Sequence, residues 1–339
     1  MPHLAIPARS SLDPRRTTCA WVESPLQALS VIEAHAAGRL GRRTVLTPRP
    51  GVTSLGPTLE HLLGLRLPQG LSVGSSDGTR AGRPGDGRTW VIGDAFSGQV
   101  QKELALDGSG ELVVVDDGRA TLHLLALLAD GEPLLRARAQ AGAARRLLGR
   151  VATQRLRRAA REHRLTVVTA YDVYPDVRHR LEAMGARLRR HRFEWLREQV
   201  LPTCPDQPTV VLGSAMVQDG LVHAPPYLDW VLSRAAEGPV AYYPHRREEH
   251  STLDPLRAAA GVRVYEPTVP VELSLRGLGP AHRLVCLPST TATTLRAVLT
   301  GRGTRMVVDP VLDHWWTHRA NPAVRALLGG DGLAGTTAA

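Results

Sequence analysis

Hydrophobic and polar positions alternate between two textures along the chain. Short runs rich in β-branched residues read as strands: TTCAWVE (17–23), RTVLTP (43–48), TWVIGD (89–94), ELVVVDD (111–117) and LTVVTAY (165–171). Stretches with apolar residues three and four apart read as helices between them. SPLQALSVIEAHAAG (24–38) has Ser24 as N-cap, Pro25 at the first helical position and Gly38 as stop, and TLEHLLGL (58–65) is a second helix. Residues 70–88, rich in Gly, Ser and Asp, read mostly as a surface loop. A long helical region spans 134–164.

The alternation resumes in the second half. Strands are predicted at 208–216, 239–245, 262–267, 283–289 and 304–310, with helices at 227–237 and 290–301. Repeated β-then-α order implies parallel sheets covered by helices on both faces. The expected domains are 1–171 and 208–339, both Rossmann-like, joined by an interdomain region at 172–207. In such folds ligands sit outside the carboxyl ends of the strands. The ends of the chain, 1–16 and 329–339, read as frayed.

Charge changes the picture. The 339 residues carry a formal net charge of +10, which favours anionic partners such as a nucleotide, an acidic glycan or a phospholipid surface. Lys102 is the only lysine, and ten of the arginines fall in 134–164 against one acid, Glu162. A solvated helix face is the plain reading of that stretch; docking to an anionic membrane or nucleic acid is the functional one. Cys19, Cys204 and Cys286 are widely spaced and odd in number, so neither a disulfide framework nor a structural zinc site is expected. No apolar stretch is long enough for a signal peptide or a membrane span, and a cytoplasmic protein, at most peripheral at the inner membrane face, is expected.

Candidate chemistry gathers at predicted strand ends. Asp116, Asp117 and Gly118 end one strand. A close carboxylate pair raises one member's pKa toward a general base, and a following glycine permits a sharp turn. Helix capping by Asp117 and a divalent-ion site are the alternatives, though no Asp-x-Asp motif accompanies the pair. His245, with Arg246 beside it, suits a phosphate, which imidazolium and guanidinium both bind. Ser289 and Thr290 open a helix whose free amides can bind a phosphate or be capped by the hydroxyl. Gly213 and Ser214, and Glu266 before Pro267, end further strands. Paired Trp315 and Trp316 read as packing residues, and His35, His61 and His123 as structural ones.

In order, Asp116-Asp117-Gly118, His245 within YYPHRRE, and Ser289-Thr290 resemble the motifs of two-domain bacterial sialyltransferases of GT-B type. The closest likeness is to the family 52 glycosyltransferases and the α-2,8-polysialyltransferase-like proteins. VESPLQALSVIEA (22–34) also looks like the start of such proteins. The likeness spans about 17–310, with one departure: Arg246 stands where the family carries proline. The resemblance implies two Rossmann-like domains facing a central cleft, with the donor on the C-terminal side. It implies metal-independent, inverting transfer of sialic acid from CMP-sialic acid to a glycan or glycolipid hydroxyl, without a cofactor. Asp116 would be the base with Asp117 in support, His245 would meet the leaving phosphate, and Ser289 and Thr290 would bind it. Gly213, Ser214, Arg246 and Glu266 would line the nucleotide. A different nucleotide-sugar donor on the same fold, or a non-catalytic protein using 134–164 to bind anionic surfaces, are the alternatives; nucleic acid is not an expected partner.

Overall fold

The computed structural model describes residues 17–74, 88–107, 109–136, 141–266, 268–322 and 324–325. The chain divides into two compact units, Met1–Gln199 and Val200–Ala339. The expected frayed ends, residues 75–87 of the expected loop and Pro267 lie outside the described residues.

The first unit runs β1 (Thr17–Val22), α1 (Pro25–Ala36), β2 (Arg43–Pro48), α2 (Leu55–Leu63), β3 (Leu71–Val73), β4 (Thr89–Ile92), α3 (Gly98–Leu106), β5 (Leu112–Val114), α4 (Arg119–Asp130), α5 (Ala143–Arg161), β6 (Leu165–Thr169), α6 (Pro175–Ala183), β7 (Arg187–Arg190) and α7 (Glu194–Arg197). Its sheet has the order β3-β2-β1-β4-β5-β6-β7, and every pairing is parallel. The direction of winding reverses between β1 and β4, so the crevice for a ligand lies at their carboxyl ends. Two strands differ from the sequence reading. β3 lies at the start of the expected loop and forms the sheet edge on β2. β7, sequence Arg-Leu-Arg-Arg, lies in the expected interdomain region yet pairs with β6, so 172–199 belongs to the first unit. Only Leu188 of β7 is buried, because an edge strand needs one apolar face.

The second unit runs β8 (Thr209–Leu212), α8 (Ala224–Glu237), β9 (Val240–Tyr243), α9 (His250–Ala258), β10 (Val262–Val264), α10 (Val271–Ser274), β11 (Arg283–Cys286), α11 (Thr290–Val298) and β12 (Arg305–Val308). The sheet order is β10-β9-β8-β11-β12, again parallel, with its switch point between β8 and β11. Strand alternation splits the core in two. Val211, Val240, Tyr242 and Val285 pack against α8 and α9 with Trp315 and Trp316, while Val210, Leu212, Ala241 and Leu284 pack against Leu275 and α11. The tryptophan pair is thus core, as its position suggested.

The arginine-rich region is shorter than expected: α5 begins at Ala143. Three of its arginines turn inward. Arg157 Nη1 donates to Leu128 and Ala129 carbonyls (2.7 and 3.0 Å) at the end of α4, and Arg155 to Ala105 O (3.2 Å) at the end of α3. Arg145 holds Gln101 Oε1 at 2.7 Å. Cations at helix C-termini satisfy orphan carbonyls and oppose the helix dipole. Arg146, Arg150, Arg158 and Arg161 form the exposed face. No helix among the described residues is long and apolar enough to cross a membrane. The three cysteines are free.

Candidate active site

At the switch point of the first unit, three strand ends bring acids together. Glu23 and Ser24 follow β1, Gly93 and Asp94 follow β4, and Asp116 and Asp117 follow β5. Gly93 is required by space: a Cβ there would meet Gln27 Oε1 at 2.2 Å. Gln27 in turn accepts from Glu23 N at 2.7 Å and fixes the turn out of β1.

Asp116 and Asp117 are neighbours in sequence but not partners in space. Successive residues leaving a strand point to opposite sides. Asp116 turns toward the ends of β6 and β7, is fully buried, and its Oδ2 accepts from Ala170 N (2.6 Å) and faces His191 Nε2 (3.3 Å). It is out of a substrate's reach, which corrects its expected role as the base. Asp117 is half-buried on the other side, where its Oδ1 accepts from Ser24 Oγ at 3.2 Å. Its own N–H donates to Thr121 Oγ1 at 2.9 Å, so Asp117 is held by the α4 start and does not cap it with its carboxylate. Gly118 adopts φ 66°, a positive value that glycine permits.

The acid that interacts with Asp117 is Asp94, which sequence reading missed. Burial, then the Asp117 charge, push the Asp94 carboxyl up to about 6, against the lowering effect of Arg136 and the Phe96 N–H. Arg136 forms an ion pair with Asp94, and Phe96 N donates to Oδ1 at 2.8 Å. Glu23 completes the group, accepting from Ser97 Oγ (2.7 Å), Trp21 Nε1 (2.9 Å) and Arg49 Nη1 (2.8 Å). The signal was available: Asp94 ends the predicted strand 89–94, the parallel neighbour of the strand before Asp117.

The second unit gathers its candidates in the same way. Gly213 and Ser214 follow β8, His245 follows β9, and Ser289 follows β11. Below them lies a hydrogen-bonded group of two tyrosines and an acid. Tyr242 and Tyr227 hydroxyls donate to Glu248 Oε1 (2.7 and 3.0 Å), and His245 N donates to Glu248 Oε2 (2.6 Å). Burial pushes both tyrosines well above their usual range and raises Glu248.

This scaffold consumes donors that a ligand would have used. Gly213 N bonds Tyr243 O at 2.8 Å, and Ser214 N bonds Tyr227 Oη at 2.9 Å, while Ser214 Oγ accepts from Met216 N at 3.3 Å. The main-chain amides of Gly213 and Ser214 therefore build the turn rather than face a phosphate. His245 accepts from Arg247 N (3.2 Å) through Nδ1, which places its proton on Nε2. Burial, then Arg247 and Arg246, lower its pKa to about 4, so the ring is neutral at pH 7 rather than the expected imidazolium. Arg247 is paired with Asp219 (2.6 and 3.1 Å), and Arg246 is exposed beside it.

Ser289 caps α11 by accepting from Ala292 N at 3.1 Å. The amides of Thr290 and Thr291, in the first turn, have no intrahelical acceptor. Glu266 is exposed and ion-paired with Arg257 at 2.8 Å, beyond the edge strand β10 and away from the β8–β11 switch point.

No protein-family model and no curated protein matches the chain. Among solved structures it is similar to a UDP-glucose:anthocyanidin 3-O-glucosyltransferase in complex with UDP. The TM-score is 0.46 at 14% identity, over 88% of this chain and 81% of that one. It is also similar to the glycotransferase of kitacinnamycin, with a TM-score of 0.44 at 14% identity, over 93% of this chain and 84% of that one. The chain's own sheets, of seven and five parallel strands, give it an α/β fold with candidate polar residues at both switch points.

Proposed function

We propose that this protein is an inverting glycosyltransferase using a nucleotide-sugar donor, and that the donor is CMP-sialic acid. The observation that carries the reading is the chemistry that ends the strands of each unit, taken separately. The first unit offers carboxylates that can take a proton; the second offers N–H donors and a cationic flank that suit a phosphate.

Asp117 is the base. It is half-buried, held by Ser24, and set beside Asp94, whose proton affinity burial and the Asp117 charge raise. The acceptor oxygen attacks the anomeric carbon, its proton passes to Asp117, and the bond to the phosphate oxygen breaks with its electron pair leaving on CMP. A neutral His245 donates Nε2–H to that phosphate, while the Thr290 and Thr291 amides and Arg246 oppose its charge. The resemblance of the three motifs supports sialic acid. No metal enters the transfer step. Asp116 supports the site from behind. The acceptor is a glycan or glycolipid hydroxyl, and the exposed arginines of α5 suit an anionic membrane surface.

The test is CMP release from CMP-sialic acid with and without lactose, with UDP-glucose as the competing donor. Wild type should release CMP, and Asp117→Asn and His245→Ala should each lose about 10²-fold or more. UDP release without CMP release would replace the donor; neither release nor nucleotide binding would refute the reading.

A further inference from the structure

Behind Asp116, inside the first unit, lies a second polar cluster that glycosyl transfer does not use. His191 follows β7 and is 2% exposed. Its Nε2 faces Asp116 Oδ2 at 3.3 Å, and its Nδ1 is buried without a hydrogen-bond partner. Asp116 is an acceptor, so the ring donates from Nε2 and carries its lone pair on Nδ1. Two carboxylates stand near: Glu33 on α1 and Glu194 at the start of α7. One ligand atom from each of Glu33, His191 and Glu194 lies within 4.8 Å of the other two.

A buried lone pair without a hydrogen-bond partner is costly. A cation would satisfy all three groups. Glu33 Oε1 and Oε2 accept from Leu196 N (2.8 Å) and Trp195 N (3.1 Å), which anchors the carboxylate and leaves each oxygen a second lone pair. Glu194 Oε2 accepts from Arg192 N at 2.8 Å, and its side chain is exposed, so an ion has a route from solvent.

We propose that Glu33, His191 and Glu194 form a binding site for a divalent transition-metal ion of the zinc type. One imidazole nitrogen and two carboxylates suit such an ion. A carboxylate on the far nitrogen, here Asp116, is the arrangement that orients a ligating histidine and raises its basicity. Bonds of about 2.0–2.2 Å require the exposed Glu194 to draw inward. The ion ties α1 to the loop after β7 and, through Asp116, to the strand end that carries Asp117. Its role is to position that strand end.

The test uses the tag-free full chain, stripped with a chelator and titrated with zinc chloride against a chromogenic indicator. One equivalent should bind and survive gel filtration, and the thermal midpoint should rise. Glu194→Gln should keep the metal-free melting curve, since the side chain is exposed, yet weaken zinc at least tenfold. Asp116→Asn should weaken it by about 10–100-fold. Wild type that retains no zinc overturns the proposal; so does Glu194→Gln binding zinc as tightly as wild type, which would mean adventitious sites elsewhere.

Discussion

Replacing Gly213 with alanine tests whether the second unit's turn is built by packing. The Cβ would sit 2.1 Å from Glu248 Oε2, 2.7 Å from His245 N and 2.8 Å from Tyr242 Oη. The three neighbours cannot all yield. His245 N is main chain, and Tyr242 is fully buried and bonded to Glu248. Relief comes from expelling Glu248, which breaks its bonds to Tyr227, Tyr242 and His245 N. Overpacking alone costs about 1–3 kcal/mol, and a lost hydrogen bond to a charged group about 1.5–3 kcal/mol. Because the two overlap, a loss of about 2–5 kcal/mol is expected, together with weaker nucleotide binding as the His245 turn moves. Urea unfolding followed by circular dichroism gives the first, and calorimetry with CMP the second. Gly56→Ala is the control: Gly56 is exposed in α2 with nothing within 4 Å of the added Cβ, and a gain of about 0.4–1 kcal/mol is expected. Gly213→Ala within about 0.5 kcal/mol of wild type, the range of a substitution that meets no contact, would refute the packing argument.

The other expectations concern the acids, the histidine and the cap. Asp116→Ala should destabilise the first unit by about 2–5 kcal/mol, because it strands two buried donors, Ala170 N and His191 Nε2. Asp117→Asn should leave the melting curve within about 1 kcal/mol while activity falls by about 10²–10⁴; equal melting curves for the two would sink the distinction. His245 has a folded pKa of about 4 against 6.5 for the free group, so the unfolded chain binds the extra proton between those values. The stability that neutral His245 contributes should therefore be lost as pH drops from about 6.5 toward 4, against the opposite trend of Asp94. His245→Gln should flatten that slope in urea titrations at pH 4.5–7.5, and an unchanged slope would show that other groups set it. Ser289→Ala should cost about 1 kcal/mol through the lost α11 cap, read from the same unfolding curves.

Much of the fold was legible because its causes are local. Ser24 and Pro25 start α1, and Ser289 starts α11, as the sequence signals indicate. Strand runs such as Leu165–Thr169 are buried throughout and read as strands from their β-branched residues. What escaped is what locality cannot show. β7 carries three arginines in four residues and becomes a strand because β6 offers it an edge.

The site divides along the same line. Local pattern placed chemistry-bearing residues at strand ends: the acids after β5, His245 after β9, Ser289 after β11. Which of them meet was set by packing. Alternation at one strand end sent Asp116 into the interior toward His191 and Asp117 toward Ser24 and Asp94. Adjacency of β4 and β5 supplied Asp94, 23 positions before Asp117, as the acid that shares Asp117's field. Burial beside two arginines then decided the charge of His245. Strand order, side-chain direction and desolvation all arise from contacts distant in sequence, so each was fixed only when the sheets had formed.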